Sequence, residues 1–134
     1  MYFGKITDAE ARLMNPLVLA FVGDAVHSMY VRHKLATQSD AKSHTLHLLA
    51  AGEVNASAQS LKAAVLEPLL TEEEADVFRR GRNAKQHTVA KNAELNDYKR
   101  ASGFEALLGY LYLTGREERI KELLSVGADE RGSD

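Results

Sequence analysis

Leu17-Val18-Leu19-Ala20-Phe21-Val22-Gly23-Asp24-Ala25-Val26 is a ten-residue window whose only charge is Asp24. Asn15-Pro16 precedes it, a good capping residue followed by the residue that best suits the first helical position. The apolar spacing Leu17, Phe21, Ala25 and Ser28, with Val22, Val26 and Met29 beside it, is helical rather than alternating. It predicts a long helix from Pro16 to about Thr37 with Asp24 on or beside its apolar stripe.

A second window matches the first. Phe104-Glu105-Ala106-Leu107-Leu108-Gly109-Tyr110-Leu111-Tyr112-Leu113 also holds one charge, Glu105. It belongs to a helix expected from about Asp97 to Thr114 and stopped by Gly115. Between the windows, Ser43 to Leu66 reads as helix with a break at Asn55-Ala56-Ser57. Thr71 and Glu74 form a capping-box pattern that opens a helix ending near Gly81, with Arg79 and Arg80 in its last turn. Gln86 to Asn96 lacks a period and reads as a loop, and Arg116 to Ser125 as a last helix. Few stretches are rich in β-branched residues, so the expected class is all-α, a helical bundle. Residues 1–126 form one expected domain, and the small polar tail 127–134 is expected to be disordered.

The 134 residues are 45% apolar and 27% charged, ordinary values for a globular chain. The absence of Cys excludes disulfides, thiolate catalysis and Cys-ligated zinc. No apolar run approaches membrane-spanning length and the first ten residues lack a signal core, so the expected location is cytoplasmic. Net charge is −2, unpromising for a nucleic-acid binder, but its distribution is uneven. Residues 79–100 carry seven basic and two acidic side chains, leaving the remainder at −7. That is either an electrostatic footprint for phosphates or a solvated charged loop.

A carboxylate among packed side chains costs several kcal/mol unless it is paired, protonated or bound to a metal. Neither window offers a Lys or Arg. Two such acids from different helices can face one another with a cation between them, and oxygen-only ligands favour Mg²⁺ or Mn²⁺. Gly23, Gly103 and Gly109 sit near the acids, and glycine inside a helix, about 1 kcal/mol worse than Ala, usually marks a close approach. The bland alternative is that Asp24 and Glu105 cap neighbouring helices or pair with distant arginines.

Leu19-Ala20-Phe21-Val22-Gly23-Asp24-Ala25-Val26 resembles the signature helix of the ribonuclease III family, and Phe104-Glu105-Ala106-Leu107-Leu108-Gly109 resembles its second acidic motif. Arg80-Gly81-Arg82-Asn83-Ala84-Lys85, with Lys91-Asn92 and Tyr98-Lys99-Arg100 downstream, is similar to the loop of the short bacterial branch, Mini-ribonuclease III. The likeness spans about Asn15 to Leu124. Full-length ribonuclease III carries further acids where this chain has Leu17, Ala20 and Ser102; the reduced set fits the short branch and leaves the number of metals open.

The resemblance implies a metal-dependent endoribonuclease of double-stranded RNA that leaves 5′-phosphate and 3′-hydroxyl ends. It implies a symmetric homodimer, with the signature helix in the dimer contact. Asp24 and Glu105 would be catalytic and would hold Mg²⁺, with Mn²⁺ as a substitute. Arg79, Arg80, Arg82, Asn83, Lys85 and Lys91 would contact RNA. The implied substrate is the double-stranded stem of precursor 23S ribosomal RNA, with a large-subunit ribosomal protein as a further partner. The rival expectations are a non-catalytic RNA-binding or ribosome-assembly module of the same fold, a helical nucleotide pyrophosphohydrolase, and a structural adaptor.

Lesser candidates carry bland readings. His44 and His47 have zinc-pair spacing without a third ligand, and His27 either touches the site or lies on a polar face. His87 falls in the basic loop, Tyr110 and Tyr112 are expected to pack rather than stack on bases, Ser102 either orients a water or caps a helix, and Glu53 is a weak acidic candidate.

Overall fold

The structure, a computed structural model, describes residues 3–84 and 92–126. Among the described residues seven α-helices follow in order: α1 (Asp8–Leu13), α2 (Pro16–Gln38), α3 (Ser43–Val54), α4 (Ala56–Leu66), α5 (Glu72–Asn83), α6 (Asn92–Leu113) and α7 (Glu117–Leu124). A single 3₁₀ turn, Glu67–Leu69, lies between α4 and α5, and no strand occurs among the described residues.

The helix ends follow local chemistry. Asn15 Oδ1 accepts from the Leu17 amide at 2.8 Å, with Pro16 next in line, and starts α2. Asn55 both ends α3 and starts α4: its Nδ2 donates to the Ala51 carbonyl at 3.2 Å, and its Oδ1 accepts from the Ala58 amide at 2.8 Å. Thr71 and Glu74 close a reciprocal capping box on α5. Gly115, at φ +80°, ends α6 in a Schellman turn, with Arg116 N donating to Leu111 O and Gly115 N to Tyr112 O.

Helix α6 is the hub. It packs against α2, α4, α5 and α7, and Ala101, Phe104, Ala106, Leu107, Leu108, Tyr110 and Leu111 are all buried. From Ala101 onward this helix is apolar on nearly every side, the pattern of a helix at the centre of a bundle. Ile6 N bonds to Leu113 O at 2.9 Å, tying the N-terminal segment to the end of this helix.

Three readings of the sequence need correction. Helix α6 begins at Asn92, so residues 92–96, expected as loop, are helical; residues 86–91 of that loop lie outside the description. The first turns of α6 carry Glu94, Asn96 and Asp97, and no apolar period reveals a helix there. Helix α1 has no apolar period to mark it in the sequence, although Thr7 and Glu10 form the same capping box as Thr71 and Glu74. The buried face of α2 is Leu19, Ala20, Gly23, His27 and Val31, not the expected Leu17–Phe21–Ala25–Ser28 stripe. Phe21 is 80% exposed and Met29 58% exposed. Both faces are apolar, so periodicity cannot choose; Gly23 chooses, because it is the residue of α2 with no side chain to hold the helix off α6. The tail 127–134 falls outside the described residues.

Candidate functional site

Two glycines define where α2 and α6 cross. A Cβ on Gly23 would stand 1.7 Å from the Glu105 carbonyl oxygen, and one on Gly109 would stand 1.9 Å from the Leu19 carbonyl oxygen. The helices touch through their main chains, and this brings the neighbours Asp24 and Glu105 together. Burial, then the Asp24 carboxylate as hydrogen-bond partner and like charge, push the Glu105 carboxyl up to about 8; the Gln59 amide pulls the other way. Asp24 is exposed and Glu105 half-buried, so the pair opens to solvent on the Asp24 side. Neither acid joins an ion pair between described residues.

A third helix reaches the pair. Gln59 of α4 is buried, with Nε2 3.3 Å from Glu105 Oε2 and 3.0 Å from His27 Nδ1. His27 is buried one turn after Asp24, its ring edge-on to Phe104 at 5.0 Å between centroids. Desolvation is the leading cause that takes its pKa down to about 4, so His27 is neutral near pH 7. Nothing in the alanine-rich sequence of α4 marks Gln59 as a site residue by itself. The available signal was two polar residues, Gln59 and Ser60, on the face of α4 that also carries buried Ala63 and Leu66.

The basic residues are placed unevenly. Gly81 packs on Ser102, Gly103 and Ala106, so the last turn of α5 lies against the part of α6 that bears Glu105. Arg79 pairs with Asp76 at 2.5 Å. Arg80 turns inward and donates to the Arg12 carbonyl at 2.9 Å and the Met14 carbonyl at 3.5 Å, bracing the α1–α2 junction. Asn83 is exposed and Arg82 partly so. Lys85, His87 and Lys91 lie outside the described residues. Ser102 is buried inside α6, away from the ends of that helix. Glu53 pairs with Lys34 at 2.6 Å, His44 and His47 lie on the surface of α3, and Tyr110 is fully buried. Among the described residues no group of three or more His, Asp or Glu is placed to hold a metal ion.

Residues 17–116 match the ribonuclease III domain family. The chain belongs to that family. Its curated relatives carry the name Mini-ribonuclease 3: one from Brevibacillus brevis is 50% identical over 115 residues, covering 86% of each chain. One from Enterococcus faecalis is 46% identical over 114 residues, covering 84% of this chain and 86% of the relative. A crystal structure of a protein from Fusobacterium nucleatum superposes with a TM-score of 0.79 at 30% identity, covering 94% of this chain and 99% of that one. The expected all-α ribonuclease III fold and an endoribonuclease activity therefore stand. Among the described residues no helix is long and apolar enough to cross a membrane.

Proposed function

We propose that this ribonuclease III-family chain hydrolyses double-stranded RNA at a divalent-metal centre formed by Asp24 and Glu105. The observation that carries the reading is the contact between these two acids at the α2–α6 crossing, made without a basic partner among the described ion pairs. The donor set is all oxygen, which suits Mg²⁺, with Mn²⁺ able to replace it. Two protein ligands leave most positions to water and substrate, a supply Mg²⁺ prefers. When bound, the ion would supply a Lewis acid at the scissile phosphate and a water acidified toward neutral pH. Asp24, exposed, would fix the open side of the centre, and Glu105, half-buried, would anchor it to the core.

Arg82 and Asn83, with Lys85 and Lys91 beyond them, would contact the RNA backbone. A-form RNA hides its base edges in a deep groove, so recognition would rest on shape, phosphates and 2′-hydroxyls. Arg79 and Arg80 would assist once released from their present partners. The exposed apolar face of α2, Val18, Phe21 and Met29, would be covered by a second copy, giving a symmetric dimer with two centres across one duplex. The products would carry 5′-phosphate and 3′-hydroxyl ends. The natural substrate would be a stem of precursor 23S ribosomal RNA in the cytoplasm, with a large-subunit ribosomal protein as partner.

The test is incubation of the purified protein with a precursor-type RNA duplex, with and without Mg²⁺, beside Asp24→Asn and Glu105→Gln. Mg²⁺-dependent cuts in wild type and none in either variant are expected. An intact duplex under every condition, or equal cutting by the variants, would overturn the reading.

A further inference from the structure

Gln59 is 3% exposed, and its side chain ends in an amide that burial makes costly unless both of its ends are satisfied. Its Nε2 faces two acceptors, His27 Nδ1 at 3.0 Å and Glu105 Oε2 at 3.3 Å. An amide nitrogen carries two hydrogens, so one group serves both. Acceptance at Nδ1 sets His27 as the tautomer protonated at Nε2. His27 cannot swing away, because it is 6% exposed and held edge-on against Phe104 at an interplanar angle of 86°. Phe104 is the residue before Glu105 on α6, and His27 lies three after Asp24 on α2. The brace and both acids are therefore tied to the same helix crossing.

We propose that Gln59 is a positioning residue for the Asp24–Glu105 centre: braced by His27, its amide donates to one oxygen of Glu105, fixes the orientation of that carboxylate and leaves the remaining lone pairs for a divalent cation. The inference rests on the metal-centre reading above. The chemistry of the residue suits the task. A Lys or Arg here would neutralise Glu105 and compete with the cation. A carboxylate would add a third like charge to a partly buried site. An alkyl side chain would leave the His27 nitrogen and the Glu105 oxygen without a donor. A neutral donor orients without competing, as partners of ligating carboxylates commonly do.

The test is Mn²⁺ titration followed by electron paramagnetic resonance, with melting temperatures alongside, on wild type, Asp24→Asn, Gln59→Met and His27→Phe. Gln59→Met keeps length and volume and removes both donors. His27→Phe keeps the ring packing and removes the brace. Wild type binds Mn²⁺ and Asp24→Asn loses it. Gln59→Met weakens binding by roughly tenfold or more, and His27→Phe by about threefold, both while retaining a cooperative melt. A Gln59→Met affinity within about twofold of wild type would overturn the role of Gln59 alone. If Gln59→Met does not fold, a wild-type affinity in His27→Phe overturns it. Absence of Mn²⁺ binding by wild type would overturn the metal centre itself and this inference with it.

Discussion

Replacing Gly23 with Ala sets two physical effects against each other. Helix propensity alone favours Ala by about 1 kcal/mol, because glycine loses more backbone entropy. Packing opposes it. The new methyl would stand 1.7 Å from the Glu105 carbonyl oxygen and 2.9 Å from Gly109 N, whereas ordinary contact begins near 3.4 Å. The obstructing atoms are main chain on a buried helix, so no rotamer change relieves them, and α2 must lift off α6. Overpacking costs about 1–3 kcal/mol where side chains can yield, and a rigid backbone clash belongs at or beyond the top of that range. The net expectation is a loss of about 2–3 kcal/mol, or roughly 10 °C in melting temperature for a chain of this size. Gly52, inside α3 with nothing within 4 Å of its would-be Cβ, is the internal control: Gly52→Ala should gain about 0.5–1 kcal/mol. Urea titration and thermal melts of the two variants read the difference directly. If Gly23→Ala melts at or above wild type, the helices do not meet through their backbones, and the geometry that joins Asp24 to Glu105 is wrong.

Metal binding should depend on pH through Glu105. Its carboxyl is raised in the folded chain to about 8, so the proton is held more tightly folded than unfolded. The stability this contributes to the metal-free protein is full below about 4.5 and is lost as pH rises toward 8. Mn²⁺ must displace that proton, so its affinity should fall about tenfold per unit below this value, and a calorimetric titration showing no pH dependence would contradict the assignment. Arg80→Ala should cost about 1–3 kcal/mol of stability by freeing the Arg12 and Met14 carbonyls, whereas Arg82→Ala should change stability by under about 0.5 kcal/mol. Arg82→Ala should instead weaken duplex binding and lower its salt slope by about one, measured by filter binding at several salt concentrations. Arg119 grips the nearly buried Glu74 through Nε and Nη2, each at 2.8 Å, so Arg119→Met should cost about 3 kcal/mol in urea unfolding. Burial raises the Glu74 carboxyl, but Arg119 and the Thr71 amide outweigh it and hold the carboxyl below its ordinary value. The stabilisation is therefore present above about 4.5 and disappears as pH falls, so the variant and wild type should converge in acid.

Helix positions were legible where a capping signal and an apolar period coincide, as for α2 at Asn15-Pro16 and α5 at Thr71–Glu74. Helix α1 has the capping signal without a period, being six residues long. The start of α6 has neither, because its first turns bear polar residues. The face of α2 that turns inward was not legible, since Phe21 and Met29 are as apolar as Leu19 and Val31 and only contact with α6 separates them. The two acids stood out because a lone charge in an apolar window is costly, and the glycines beside them pointed to a close crossing. Gln59 did not stand out: an amide on an alanine-rich helix is unremarkable until α2 and α6 supply acceptors on both sides. Arg80 was legible as a charge but not as a brace, because its partners are carbonyls more than sixty residues away.

Anomalous diffraction from crystals grown with Mn²⁺ would locate the ion relative to the two carboxylates without relying on turnover. A single strong peak within coordination distance of oxygens from both Asp24 and Glu105 is the expected result. A peak elsewhere, or Asp24 and Glu105 each occupied by a basic side chain with no ion between them, would contradict it.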